Sequence, residues 1–398
     1  MKISRIIREI PASGIRKFFD LATQMEDIIS LGVGEPDFTT PWHIREAGIY
    51  ALENGSTTYT SNWGILELRE AISEHLYKLY KISYDPESEI LITTGSSEAF
   101  DLAIRAIIDP GDEVIIHQPS YVSYVPCVLL ARGKPRILPT FPEEEFKINP
   151  QRLERMITPR TKAIILNYPN NPTGAVMDKD TLLEIAEIVE RYDLLVISDE
   201  IYDRLVYDGK FTSFASLPNM KERTILINGF SKAYAMTGWR LGYAAGNREI
   251  IQAMLKIHQY TMLCAPTVAQ IAAVEALKLE EEVERMRDSY NQRRRFFYQG
   301  LKEIGLDVVE PKGAFYIFPS IKKFGMSSEE FAERLLREKK VVVIPGSVFG
   351  ESGEGFIRCT YASSLSDLKE ALRRMGEFLS SLAPSALVKK NGSYPKEK

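Results

Sequence analysis

Two hydrophobic rhythms alternate along the chain. Short β-branched runs, several of them apolar at consecutive positions, fall at 89–93, 113–117, 163–167, 194–198, 224–228 and 241–245. Runs of this kind predict strands covered on both faces. Between them, apolar residues recur at helical spacing over 65–80, 98–108, 121–131 and 179–192, predicting amphipathic helices. Asp109-Pro110-Gly111-Asp112 is a stop-and-turn signal ahead of a strand. Such alternation predicts an α/β fold with a mainly parallel sheet flanked by helices.

The rhythm changes near residue 265. A long charged, amphipathic stretch runs from about Thr267 to Ile304 and carries Glu280-Glu281-Glu282 and Arg293-Arg294-Arg295. Charge runs of this kind read as a solvated helix face. Strand-like segments at 314–318, 341–344 and 356–361 then alternate with helix-like segments at 327–339 and 366–382. This predicts a second, smaller α+β domain.

Composition narrows the class. The chain has 398 residues, 44% hydrophobic and 26% charged, which is ordinary for a soluble globular protein but too long for one small core. A formal net charge of −4 gives no electrostatic reason to expect nucleic acid or an anionic membrane as partner. Cys127, Cys264 and Cys359 are odd in number and widely spaced, so neither a disulfide framework nor a CxxC metal pair is expected. The first ten residues are broken by charges, and no segment approaches the roughly 20 apolar residues of a membrane span. A reduced, cytoplasmic setting is the expectation.

Candidate chemistry gathers at the ends of the strand-like runs. Asp199 closes the apolar run Leu194–Ser198, where a carboxylate is costly to bury without a partner. It is either a helix N-cap or the partner of a protonated ring nitrogen. Lys232 follows another strand, 33 positions beyond Asp199, with Gly229 permitting close backbone approach. A lysine there is ordinarily a solvated surface residue. Partial burial and a nearby cation would instead lower its pKa and make it a nucleophile, and Arg240, eight residues on, can supply both that cation and a phosphate contact. An acid, a lysine and an arginine so placed can hold pyridoxal phosphate.

Other segments fit the same ligand. Thr94-Gly95-Ser96-Ser97-Glu98 lies between a strand and a helix, as a capping box or a phosphate cradle. Asn171, in Tyr168–Gly174 after a strand, belongs to a proline-rich turn or to a ligand contact at a strand's C-terminal end. Tyr202 can reach the cofactor's phenolic oxygen. Tyr121 either packs in the core or stacks on a planar ring. Arg358, inside the apolar run Phe356–Tyr361, needs an anion, and its planar fork suits a substrate carboxylate or an internal ion pair.

Taken together, these segments resemble the class I and II aminotransferases, fold-type I enzymes that use pyridoxal phosphate. The resemblance runs from about Ile29 to Met375 and includes Leu31–Phe38, Tyr59 with Gly64 and Leu68-Arg69, Thr94–Ala99, Asn167–Gly174, Ser198–Tyr202, Ser231–Gly242, Gly313–Tyr316 and Pro345–Arg358. It implies Lys232 as the Schiff-base lysine and proton shuttle, and Asp199 as the pyridinium partner. Tyr202 and Asn171 become the ring-oxygen ligands and Tyr121 the stacking aromatic. Gly95, Ser96, Ser97, Ser231 and Arg240 form the phosphate cup. Gly34, Asn171 and Arg358 become the substrate contacts. Tyr59 resembles a residue that reaches the phosphate of a neighbouring subunit, which implies a homodimer. A large domain over 45–285 and a small one over 286–385 are expected, with residues 1–44 contributing to the small domain and 386–398 forming a polar tail.

The implied reaction moves an amino group from an L-amino acid to 2-oxoglutarate in two ping-pong halves. In relatives selective for aspartate a lysine of the phosphate-cup segment helps choose the acidic side chain, and Ser97 stands at that position here. This weakens the aspartate alternative and favours aromatic or broad-range donors, with Ile15, Phe18 and Tyr260–Cys264 as candidate pocket linings. The same anchors would also serve a fold-type I lyase or synthase. A nicotinamide dehydrogenase fits poorly, because Gly32-Val33-Gly34 lacks a third glycine and a preceding βαβ context. A regulator with a DNA-binding module ahead of the enzyme-like part is not expected either.

Overall fold

The computed structural model describes residues 2–10, 14 and 25–382. Its strands in chain order are β1 (Ile29–Ser30), β2 (Ile90–Thr93), β3 (Glu113–Gln118), β4 (Lys134–Pro139), β5 (Thr161–Asn167) and β6 (Leu195–Asp199). Then come β7 (Thr224–Gly229), β8 (Gly242–Ala245), β9 (Tyr316–Ile317), β10 (Val341–Val342), β11 (Ile344–Pro345) and β12 (Ile357–Thr360). Seven of them form one sheet in the order β2-β8-β7-β6-β5-β3-β4. Only β8 runs against its neighbours. Every residue of β2, β3, β7 and β8 is buried, which is why these strands read as apolar runs.

Helices cover both faces. Ser96–Ile107 and Arg248–Thr261 pack against one another over one face, and Lys179–Arg191 buries Leu182, Ile185 and Val189 over the other. Asp178 caps that last helix by accepting from the Thr181 N–H. A second group of strands, β11-β12-β9, is antiparallel, and β1 pairs in parallel with β10 through Ile29↔Val341. That pairing joins an N-terminal segment to the C-terminal part of the chain.

The expected elements differ from the observed ones in a few places. The long stretch from Thr267 breaks into Thr267–Ala276 and Glu280–Glu303. The predicted helix over 121–131 starts at Tyr124. Strand β4 is not among the expected strands because Pro135 and Pro139 punctuate it. It lies at the edge of the sheet, where a missing N–H costs little. Among the described residues no helix is long and apolar enough to cross a membrane.

Candidate active site

Strand direction decides where the loops meet. β2, β3, β5, β6 and β7 run the same way, so their C-terminal ends share one edge of the sheet, and the antiparallel β8 presents its N-terminal end there. A cavity of about 580 Å³ opens at that edge. Ser96 and Ser97 reach it after β2, Tyr121 after β3 and Asn171 after β5. Asp199 and Tyr202 reach it at the end of β6, Ser231 and Lys232 after β7, and Arg240 before β8. Gly34 and Arg358 close it from outside the large sheet.

Gly95 sits directly behind this wall. Its φ is +81°, and a Cβ there would stand 2.6 Å from Arg240 Nη2, so glycine serves both the backbone and the close approach. Tyr59 is not part of the wall; its side chain is 81% exposed. Tyr260–Cys264 also lies away from it, with Leu263 O accepting from Asn62 Nδ2 at 2.6 Å. Ile15 and Phe18 fall outside the described residues.

One end of the cavity is built for an anion. The helix Ser96–Ile107 starts there without a side-chain cap, so its first N–H groups lack intrahelical partners. The hydroxyls of Ser96, Ser97 and Ser231 and the Arg240 guanidinium line the same cavity. Arg240 Nη1 donates to Thr237 O at 3.1 Å.

The opposite requirement appears at Asp199. Its side chain is buried, accepting from Tyr124 Oη at 2.7 Å and from the Ile201 N–H at 3.3 Å. Burial raises its pKa; the Tyr124 hydrogen bond and, more weakly, the Lys232 charge act against this. A carboxylate held only by neutral donors suits a cationic ring nitrogen.

Lys232 occupies the centre. Its Nζ donates to Gly34 O at 2.5 Å and lies 5.7 Å from the Phe315 ring. Burial lowers its pKa to about 8, and Arg358 and Arg240 add to this against Glu35 and Asp199. Arg358 therefore depresses the lysine more than Arg240, the cation that sequence spacing suggests. The hydroxyls of Tyr202 and Tyr316 share a hydrogen bond of 2.9 Å, and burial pushes both phenols above their ordinary pKa.

Arg358, on β12, is fully enclosed. Nη1 donates to Asn171 Oδ1 at 2.9 Å, Nη2 donates to Gly32 O at 2.6 Å, and the guanidinium lies 4.5 Å from the Tyr316 ring centroid. Its Nε is buried without a partner. A carboxylate entering beside Gly34 would meet this fork.

Sequence reasoning missed Tyr124, Asn167 and Tyr316 as site residues. Tyr124 stands one helical turn beyond Tyr121, a spacing that could have exposed it. Asn167 ends β5, where its Nδ2 donates to Asp199 O at 3.3 Å and its Oδ1 accepts from the Asn171 N–H at 3.2 Å. Tyr316 lies in a segment already singled out, but only the fold brings its hydroxyl to Tyr202.

Residues 26–375 match the family model described as aminotransferase class I and II. A putative aminotransferase of Bacillus subtilis is 55% identical over 95% of this chain and 98% of its own length. An aspartate aminotransferase of Pyrococcus abyssi is 49% identical, again over 95% and 98% of the two chains. The solved structure of an aromatic aminotransferase from Pyrococcus horikoshii is 47% identical, with a TM-score of 0.88 over 92% of this chain and 99% of that one.

Proposed function

From a chain that belongs to the class I and II aminotransferase family, and is thus an aminotransferase, we infer that the cavity holds pyridoxal phosphate and serves aromatic or broad-range L-amino acids with 2-oxoglutarate as acceptor. The donor set fits the cofactor. An uncapped helix start, three serines and Arg240 suit its phosphate, and a buried carboxylate without a cation suits its ring nitrogen. Bound there, the cofactor supplies an aldehyde for the lysine amine and a protonated ring that withdraws electrons from the substrate Cα.

The chain's own residues supply the rest. Lys232, whose pKa burial lowers to about 8, gives up its own proton more readily than an exposed lysine, and as the amine it would take the proton from the substrate Cα and hold it for return. Arg358 grips the α-carboxylate as a planar fork, and Gly34 lets that carboxylate approach. Asp199 would hold the proton of the ring nitrogen. Asn171 and Tyr202 would donate to the phenolic oxygen, and Tyr121 would stack on the ring.

The choice of donor rests on one observation: the cations of the cavity wall. Among the described residues these are Lys232, Arg240 and Arg358, and each has a role in every turnover. Among the described residues no further cation lines the wall to meet a side-chain carboxylate, and the resemblance implies a lysine at the Ser97 position in aspartate-selective members. Val33, Tyr121, Tyr124 and Tyr316 give an apolar and aromatic wall instead. A screen of single half-reactions ranks phenylalanine and tyrosine above aspartate; aspartate leading by a wide margin would overturn this. The family reading also makes the enzyme a homodimer. Exposed Trp42, Tyr50, Tyr59 and Tyr260 support a partner surface, and sedimentation velocity tests it.

A further inference from the structure

Behind the anion end lies an acid–imidazole pair, its imidazole fully buried and its acid largely so, with no role in the reaction described above. Glu98 stands in the first turn of the helix Ser96–Ile107. Its Oε2 accepts from the Thr94 N–H at 2.5 Å, and its Oε1 lies 2.6 Å from His258 Nδ1. His258, in the last turn of Arg248–Thr261, is fully buried, and its Nε2 has no partner. Facing a carboxylate, Nδ1 carries the proton and donates. Both oxygens of Glu98 are thereby engaged, which makes a carboxylate tolerable so close to an anion site.

The pair bears on the turn that aims the cradle. Thr94 and Gly95 link β2 to the helix, and Gly95 has no side chain to fix its left-handed conformation. The turn is instead held by Thr93, whose O accepts from the Gly95 N–H at 2.8 Å and whose Oγ1 donates to Gly95 O at 3.0 Å, and by Glu98 at Thr94. Ser96 and Ser97 follow at once. We propose that Glu98 and His258 are positioning residues of the phosphate cradle. His258 orients the Glu98 carboxylate, the carboxylate fixes the Thr94 N–H, and the fixed turn points Ser96 and Ser97 at the phosphate. This rests on reading the Ser96–Ser97 end as the phosphate site.

Two ligands separate positioning from mere support. Dissociation constants for pyridoxal phosphate and for unphosphorylated pyridoxal are measured on the full-length protein after removal of cofactor. In His258→Leu the phosphorylated ligand binds about tenfold more weakly, while pyridoxal changes by less than about twofold. His258→Asn, whose amide nitrogen falls near Nδ1, recovers most of the loss. Glu98→Met gives the same selective weakening from the other side and serves where His258→Leu does not fold. Removing a negative charge beside a phosphate would by itself tighten binding, so weakening in Glu98→Met marks positioning. Equal loss for both ligands, or no loss for either, overturns the proposal. A wild-type protein that does not prefer the phosphorylated ligand overturns the phosphate site itself, and this proposal with it.

Discussion

Arg358 fixes which way the amide of Asn171 faces. Its guanidinium can only donate, and Nη1 meets Asn171 Oδ1 at 2.9 Å, so the Nδ2 hydrogens are left for the cavity. The other terminal nitrogen is committed to Gly32 O. A single ammonium cannot make both bonds. In Arg358→Lys the KM for the amino acid rises about 10²-fold, the scale for breaking a buried charged contact, with a smaller change in kcat. Steady-state kinetics with KM unmoved would take Arg358 out of the substrate site.

Lys232→Ala is expected to abolish turnover and the visible chromophore that borohydride reduces. The test is an absorbance spectrum of the purified variant before and after reduction. Persistence of both signals would refute the anchor.

The pKa of Lys232 links protonation to stability. It falls from 10.5 to about 8, through burial first and the two arginines next. The unfolded chain thus holds more protons than the native one between about pH 8 and 10.5, and stability rises with pH across that window. Below it the full cost of the buried ammonium is present. In the cofactor-free protein at pH 7, Lys232→Met is more stable by about 1–2 kcal/mol, a figure reduced for the part-exposed side chain. Urea unfolding at pH 7 and above pH 10 checks the sign, since the gain disappears in the second condition.

Ser97→Lys adds a cation beyond Lys232, Arg240 and Arg358, the three that line the wall among the described residues. The ratio of kcat/KM for aspartate over phenylalanine rises at least about tenfold, the worth of one partly desolvated ion pair. An unchanged ratio would show that Ser97 does not face the substrate side chain.

Tyr124→Phe removes the strongest donor to Asp199. The carboxylate pKa rises further, because the Tyr124 hydrogen bond now acts against burial. Losing a hydrogen bond to a charged group costs about 1.5–3 kcal/mol, so kcat falls about tenfold or more. The absorbance titration of the loaded enzyme shifts as well. A variant with wild-type kcat and titration would make Tyr124 a packing residue only.

Much of the site can be read from the sequence because it sits at strand ends. Asp199, Asn171, Tyr121 and Lys232 each follow an apolar run, and a parallel sheet brings such ends together. What the sequence conceals depends on three-dimensional neighbours. Tyr316 meets Tyr202 across 114 positions, and His258 meets Glu98 across 160. No local period encodes either contact. β4 is hidden for a different reason: its prolines are turn signals in the sequence and harmless only because the strand is at an edge.

The reversed strand β8 has a consequence for synthesis. It lies between β2 and β7, pairing Thr93 with Gly242 and Gly229 with Gly242. A nascent chain that has left the ribosome only as far as residue 230 carries six of the seven strands, yet β2 has nothing to join. Its apolar surface waits for about 150 later residues, a long-range closure of the kind that slows folding and invites holdase chaperones. The same late pairing brings Gly95 beside Arg240. A ligand gripped by Ser96 and Arg240, on either side of that seam, would act as a clasp on the last seam of the sheet to close.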